Sequence, residues 1–263
     1  MSQQAKMKVG IAGAGNVATH LATAIKKSGH EIVAVVSKSY CTAEALAGKL
    51  NAVAIRNVEE MPCDLDLVLI ASSDAAVSEI SDRLPQIKGI VAHTSGSVPL
   101  EALSTRHVHA AVLYPLQTFT KDVPVDISKV PFFVEATDES TLRMIESIAG
   151  ELSERVHHAD SVTRSRLHIA GVLSSNFPIY LLEMTRKVLS EQGLPLDTVK
   201  PLVKATIEKA FSTEPLAALT GPARRGDVEV VRKQSASFDS QIDKDIYDSI
   251  SKAIFSEFEH KYE

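Results

Sequence analysis

Lys8-Val9-Gly10-Ile11-Ala12-Gly13-Ala14-Gly15-Asn16-Val17-Ala18 is the stretch that decides how the first half of this chain folds. An apolar strand runs straight into G-x-G-x-x-A, and an amphipathic helix follows without a spacer. Gly13 allows the tight strand-to-helix turn. Gly15 removes the side chain that would hold a pyrophosphate off the backbone, and Ala18 is small enough for helix and strand to pack closely. A helix that begins here offers unpaired N–H groups and the positive end of its dipole to phosphates. The expected function of the turn is dinucleotide binding, with Gly13, Ala14, Gly15, Asn16 and Val17 against the cofactor.

The next strand, Glu31-Ile32-Val33-Ala34-Val35-Val36, stops at Ser37-Lys38-Ser39, about 20 residues past the motif, where an NAD site places Asp or Glu on the ribose hydroxyls. Hydroxyls and a cation stand here instead, and they suit a 2′-phosphate. Glu31 lies at the wrong end of the strand. NADP is therefore the expected cofactor, with Ser37, Lys38 and Ser39 around its 2′-phosphate; the competing account makes Lys38 a solvated loop lysine.

Working outward, strand and helix alternate. A helix is predicted over 42–50, a short strand over 52–55 and a buried strand over 65–71, with Ser72-Ser73-Asp74 capping another helix. Strands are predicted over 89–93 and 107–113, a last edge strand over 131–135 and a helix over 139–152. This is a doubly wound, mostly parallel Rossmann sheet. Helices alone follow: Thr163 to Glu191, kinked at Pro178, with Leu167, Ala170, Leu173, Phe177, Leu181, Met184 and Val188 at helical spacing, then 199–211, 227–238 and 241–258. The expected architecture is a Rossmann domain over 1–155 and an all-helical substrate and dimerisation domain over 156–263.

Composition excludes more than it selects. The chain has 263 residues, enough for two domains of about 100–150 residues. A net charge of −5 argues against nucleic acid as a partner. Cys41 and Cys63 have no metal spacing, so neither a metal site nor a disulfide framework is expected. No apolar run approaches the roughly 20 residues of a membrane span, and the cytoplasm is the expected compartment.

Taken in order, Gly13 to Ala18, Ser37-Lys38-Ser39, His93-Thr94-Ser95-Gly96-Ser97, Tyr114-Pro115-Leu116-Gln117-Thr118-Phe119 and Gly221-Pro222-Ala223-Arg224-Arg225-Gly226-Asp227 resemble the candidate NADP-dependent oxidoreductases of prokaryotes. The N-terminal half is similar to the coenzyme domain of pyrroline-5-carboxylate reductase and deazaflavin-dependent NADP oxidoreductase. The resemblance covers nearly the whole chain and implies a fold and a cofactor, but no substrate. Tyr114 departs from it, since His-Pro is common at that position.

Ligands of open α/β sheets lie beyond the carboxyl ends of the strands. That places Ser72, Ser73, His93, Ser95 and Tyr114 around the nicotinamide. His93 is a candidate proton donor and Ser95 a candidate substrate holder; alternatively His93 bonds the backbone and Ser95-Gly96 is only a turn. His168 and Asn176, eight apart, share a helix face. In β-hydroxyacid dehydrogenases a lysine precedes the asparagine by four; Val172 stands there, so a lysine-dependent mechanism is not supported. Asn176 is a candidate catalytic group or a partner for backbone freed by Pro178. Arg225 is a candidate anion anchor or a salt-bridge partner of Asp227, which is placed to cap the next helix. The expected pocket lies between the domains, lined by His93, Ser95, Tyr114 and Asn176, with His168 and Arg225 binding substrate. The leading function is hydride transfer to or from a small carbonyl, imine or hydroxyl compound. The alternative is a non-catalytic dinucleotide sensor or structural protein. A homodimer through the helical half is expected.

Overall fold

The computed structural model describes residues 6–261. Strands β1 (Lys8–Ala12), β2 (Glu31–Val36), β3 (Val53–Ala54), β4 (Leu67–Ile70), β5 (Ile90–His93), β6 (Ala110–Pro115), β7 (Phe132–Ala136) and β8 (Val156–His158) form one sheet in the order β3-β2-β1-β4-β5-β6-β7-β8. Every pairing is parallel except β6 with β7. The order reverses between β1 and β4, which makes their carboxyl ends the switch point where a crevice opens.

Alternate residues along the strands feed two apolar layers, so the strands are buried on both faces. Val9, Ile11, Val35, Leu67, Leu69 and Leu113 pack with α1 (Asn16–Lys27), α2 (Tyr40–Leu50) and α5 (Glu139–Leu152). Ala12, Ala34, Val36, Val68, Ile70 and Val91 pack with α3 (Val77–Arg83) and α4 (Glu101–Ser104). In α1 the buried positions are Ala18, Leu21, Ala22 and Ile25, a single helical stripe. Helix α5 starts where Asp138 accepts hydrogen bonds from the Ser140 and Thr141 N–H groups.

The remaining helices are α6 (Ser161–Gly171), α7 (Phe177–Glu191), α8 (Lys200–Ser212), α9 (Pro215–Ala218), α10 (Pro222–Arg225), α11 (Val228–Ser235) and α12 (Gln241–Glu257). The chain divides into two compact units, Met1–Asn176 and Phe177–Glu263.

Several local expectations are corrected. The helix expected from Thr163 to Glu191 is two α-helices joined by a π-helical segment, Val172–Asn176. Proline at 178 has no N–H for the ladder, and the register changes in the turn before it. Asn176 does not serve the freed backbone. The Ser174 and Ser175 hydroxyls bond back along the helix, donating to the Ala170 carbonyl at 2.8 Å and the Gly171 carbonyl at 2.7 Å. Strand β7 is not the edge, because β8 lies beyond it. Neither Ser73 nor Asp74 caps with its side chain; Asp74 accepts from the Ser97 hydroxyl instead. Asp227 does stand at the N-cap of α11, but its carboxylate is engaged by Arg225 and makes no capping hydrogen bond.

Candidate functional site

The glycine turn is held to its neighbours by two short backbone bonds. The Gly13 N–H donates to the Val36 carbonyl and the Ala71 N–H to the Ala12 carbonyl, both at 2.8 Å, which ties together the ends of β1, β2 and β4. Gly13 has φ +128°, and a Cβ there would lie 2.1 Å from the Ala71 carbonyl oxygen. No other residue fits that position. Gly15 differs: a Cβ would meet nothing within 4 Å. The space above it is open, and that space belongs to a cavity of about 700 Å³.

This cavity is lined by Gly13, Ala14, Gly15, Asn16 and Val17 from the turn, Ser37 and Lys38 from the end of β2, and Ser72 and Ser73 from the end of β4. Ser39 is not among its walls; it is the N-cap residue of α2. Helix α1 begins at the cavity with no side-chain cap and no acidic residue in its first turn. Its positive end is therefore left for an anion. The room above Gly15, the uncapped helix and the hydroxyl and ammonium groups at Ser37 and Lys38 fit a phosphate-bearing dinucleotide. Sequence reasoning missed Arg56 and Arg83, which line the same cavity. Both lie far from the glycine motif in the chain, and only the pairing of β3 with β2 and the position of α3 bring them there.

A second cavity of about 390 Å³ shares Val17 and Ser72 with the first. Its polar walls include Asp74, Thr94, Ser95, Tyr114, His168 and Asn176, all within residues 1–176. The Tyr114 hydroxyl lies 3.3 Å from His168 Nδ1, with the two rings edge to face. Burial pushes the Tyr114 phenol above its ordinary range, so it is protonated at neutral pH. Gly96 makes room for this pair: a Cβ there would stand 2.7 Å from the Tyr114 ring and 2.9 Å from His168. Asn176 is exposed and accepts from the Ser175 hydroxyl at 2.9 Å.

His93 is fully buried and is not among the walls of this cavity. Its Nδ1 accepts the Ser95 N–H at 3.2 Å, and among the described residues its Nε2 has no partner in hydrogen-bonding geometry. Burial, reinforced by the Arg164 guanidinium, lowers its pKa to about 4, so the ring is neutral at pH 7. The Ser95 hydroxyl accepts the N–H groups of Ser97 and Val98 at 3.1 and 3.0 Å, which folds the loop over itself. Arg164, fully buried on α6, holds the same loop from outside. It donates to the carbonyls of Ser95 at 3.2 Å and Val98 at 2.6 Å and pairs with Glu135 on β7. No motif marks Arg164 in the sequence. Arg225 lies in the other unit, exposed, and its guanidinium pairs with Asp227 at 2.9 Å.

The sheet order, the glycine turn at the switch point and the cavity above it define a Rossmann-like class of protein. Residues 1–116 match a Rossmann-like domain, and residues 130–254 match a domain of unknown function, DUF2520. A crystal structure of a candidate NADP oxidoreductase from Bacteroides fragilis is 32% identical, covers 95% of this chain and 98% of its own, and superposes with a TM-score of 0.90. The chain belongs to the family of that protein. Pyrroline-5-carboxylate reductase from Streptococcus pyogenes shares the fold at 15% identity and a TM-score of 0.63, covering 95% of this chain and 99% of its own. An imine reductase from Aspergillus terreus does so at 14% identity and a TM-score of 0.57, covering 98% and 89%. No protein of curated function matches the chain. Among the described residues, no helix is long and apolar enough to cross a membrane.

Proposed function

We propose that this protein is an NADP(H)-dependent oxidoreductase acting on a small carbonyl, imine or hydroxyl compound. The observation that carries the proposal is the adjacency of two cavities through Val17 and Ser72. One has the glycine turn and helix end that phosphates require, and the other is smaller and carries Ser95, Tyr114, His168 and Asn176 on its walls. The relationship to the Bacteroides fragilis candidate NADP oxidoreductase supports the same chemistry.

Bound NADPH supplies the hydride. The backbone at Gly13 to Val17 would hold the pyrophosphate, Ser37 and Lys38 would take the 2′-phosphate, with Ser39 next to them in the chain, and Ser72 and Ser73 would bind toward the nicotinamide end. In the second cavity Ser95 and Asn176 orient the substrate. The Tyr114 hydroxyl, backed by His168, donates the proton to the oxygen or nitrogen that gains charge. His93 is a positioning residue in this scheme, because its ring is neutral, buried and bonded to the Ser95 amide. Arg225 has no part in it while Asp227 holds its guanidinium.

The test is Gly15→Val. The open space around Gly15 lets the variant fold, while the branched side chain fills the path of the pyrophosphate. Loss of NADPH binding and of nicotinamide oxidation on carbonyl and imine panels, with an unchanged circular dichroism spectrum, is expected. A folded variant that binds NADPH as the parent does would overturn the assignment. We also propose a homodimer joined through the helical unit, whose apolar side chains stand exposed.

A further inference from the structure

Strand β3 pairs with β2 so that Ala54 lies beside Val35, and the Ile55 N–H donates to the Val35 carbonyl at 3.0 Å. The next residue, Arg56, is thereby brought level with the end of β2, and it lines the same cavity as Ser37 and Lys38. Its guanidinium carbon stands 4.1 Å over the centre of the Tyr40 ring. Stacking fixes the plane of the group without consuming its N–H donors. The Arg56 backbone N–H points to Glu60 at 3.4 Å, but among the described residues no carboxylate pairs with its guanidinium.

Arg83 lines the same cavity in a different state. It donates to both oxygens of Glu59, at 2.9 and 3.2 Å, and to Glu79 at 3.3 Å. Its charge is already matched by carboxylates. Lys38 is an exposed ammonium on a flexible stem, a point charge without directional preference. Arg56 brings a planar fork, held in place, with its donors unspent.

We infer that Arg56, stacked on Tyr40, is the specificity-determining residue that recognises a ribose 2′-phosphate, pairing its fork with the phosphomonoester oxygens. The inference rests on the nucleotide assignment of this cavity and adds to it the residue that separates NADPH from NADH. Neither the glycine motif nor Ser37-Lys38-Ser39 points to it.

The test uses the full chain and four probes: NADPH and NADH by fluorescence titration, and 2′,5′-ADP and 5′-AMP by competition. Arg56→Gln is expected to weaken NADPH and 2′,5′-ADP by about 10- to 100-fold, the range of a charge-assisted pair. NADH and 5′-AMP should change by less than about twofold. Arg56→Lys keeps the charge without the fork and should recover only part of the loss. Arg83→Gln should leave the ratio of NADPH to NADH affinity where it was. Equal losses for phosphorylated and unphosphorylated probes, or a selective loss in Arg83→Gln with none in Arg56→Gln, would overturn the inference while leaving the nucleotide site intact. A parent protein that binds none of the four probes would remove the nucleotide assignment itself, and the inference with it.

Discussion

The sheet unit and the helical unit treat their apolar residues in opposite ways. In the first, strands and helices bury Ile11, Leu21, Leu67, Ile70 and Phe132 almost completely, in two layers that cover both faces of the central strands. Among the described residues of the second, the buried apolar side chains are Met184, Val231 and Phe255. Phe211 is 90% exposed, Ile179 68% and Leu202 66%. Helix α8 has no buried residue at all. A helix of that length is marginal unless a face is packed against something. The sheet unit thus holds the complete glycine turn and both cavities on a core of its own, whereas the helical unit carries apolar surface that its own helices do not cover.

The largest effect is expected where that contrast is sharpest. If a second copy covers the helical face, the protein sediments as a dimer at micromolar concentration. Leu202→Glu combined with Phe211→Glu should then weaken association by roughly 100-fold or more. A parent protein that remains a monomer in the same experiment would remove the dimer, and with it this explanation of the exposed face.

Within the sheet unit the buried polar clamp is the next point of attack. Arg164→Met leaves Glu135 only its bonds from Ser161 and the carbonyls of Ser95 and Val98 without their donor, at a cost of about 3 kcal/mol. Urea denaturation measures it, and a loss below about 1 kcal/mol would show that the loop closes without the clamp. An equal substitution of an exposed pair such as Arg225–Asp227 should cost far less.

The smallest predicted effect depends on pH. His93 titrates at 6.5 in the unfolded chain and at about 4 in the folded one. Between those values the unfolded chain binds the extra proton, so stability rises with pH across the window and falls as pH drops from 6.5 toward 4. The contribution is about 1 kcal/mol between pH 8 and pH 6 and reaches about 3 kcal/mol only below pH 4. His93→Asn should flatten the stability profile over that range, leaving the smaller slope of His107, whose pKa burial also lowers. A profile of unchanged steepness would show that His93 titrates normally and is not sealed in the core.

How far these features were legible beforehand follows the range of the interactions that make them. Helix α5 runs over the same residues that its pattern predicts, because Asp138 starts it and Ile145, Ile148 and Leu152 face inward from one stripe. Strands β1 and β2 are equally local. Strand β8 has only Val156-His157-His158, no apolar run, and exists because β7 offers it an edge. His107 reads as the start of a strand, yet the strand begins at Ala110, and His107 instead faces the Ser81 hydroxyl at 3.1 Å. In the site, the glycine turn declares itself because one short segment does all the work. Arg56, Arg83 and Arg164 do not, since each acquires its surroundings from strands or helices distant in the chain. His93 and Ser95 were readable as a loop with polar groups. Which of them faces the cavity depends on the buried side of β5, and no periodicity reports that.

Val17 and Ser72 form a sill common to the two cavities, and the sill has a consequence for inhibitor design. A fragment that fills the nucleotide cavity and one that fills the smaller cavity need a linker no longer than the sill is wide. Joining them converts the second binding event into an intramolecular one, and overall avidity can then exceed that of either fragment by about 100- to 10,000-fold without a new contact. Weak hits from separate screens of the two cavities are therefore worth keeping as pairs, ranked by how closely each approaches Val17 and Ser72.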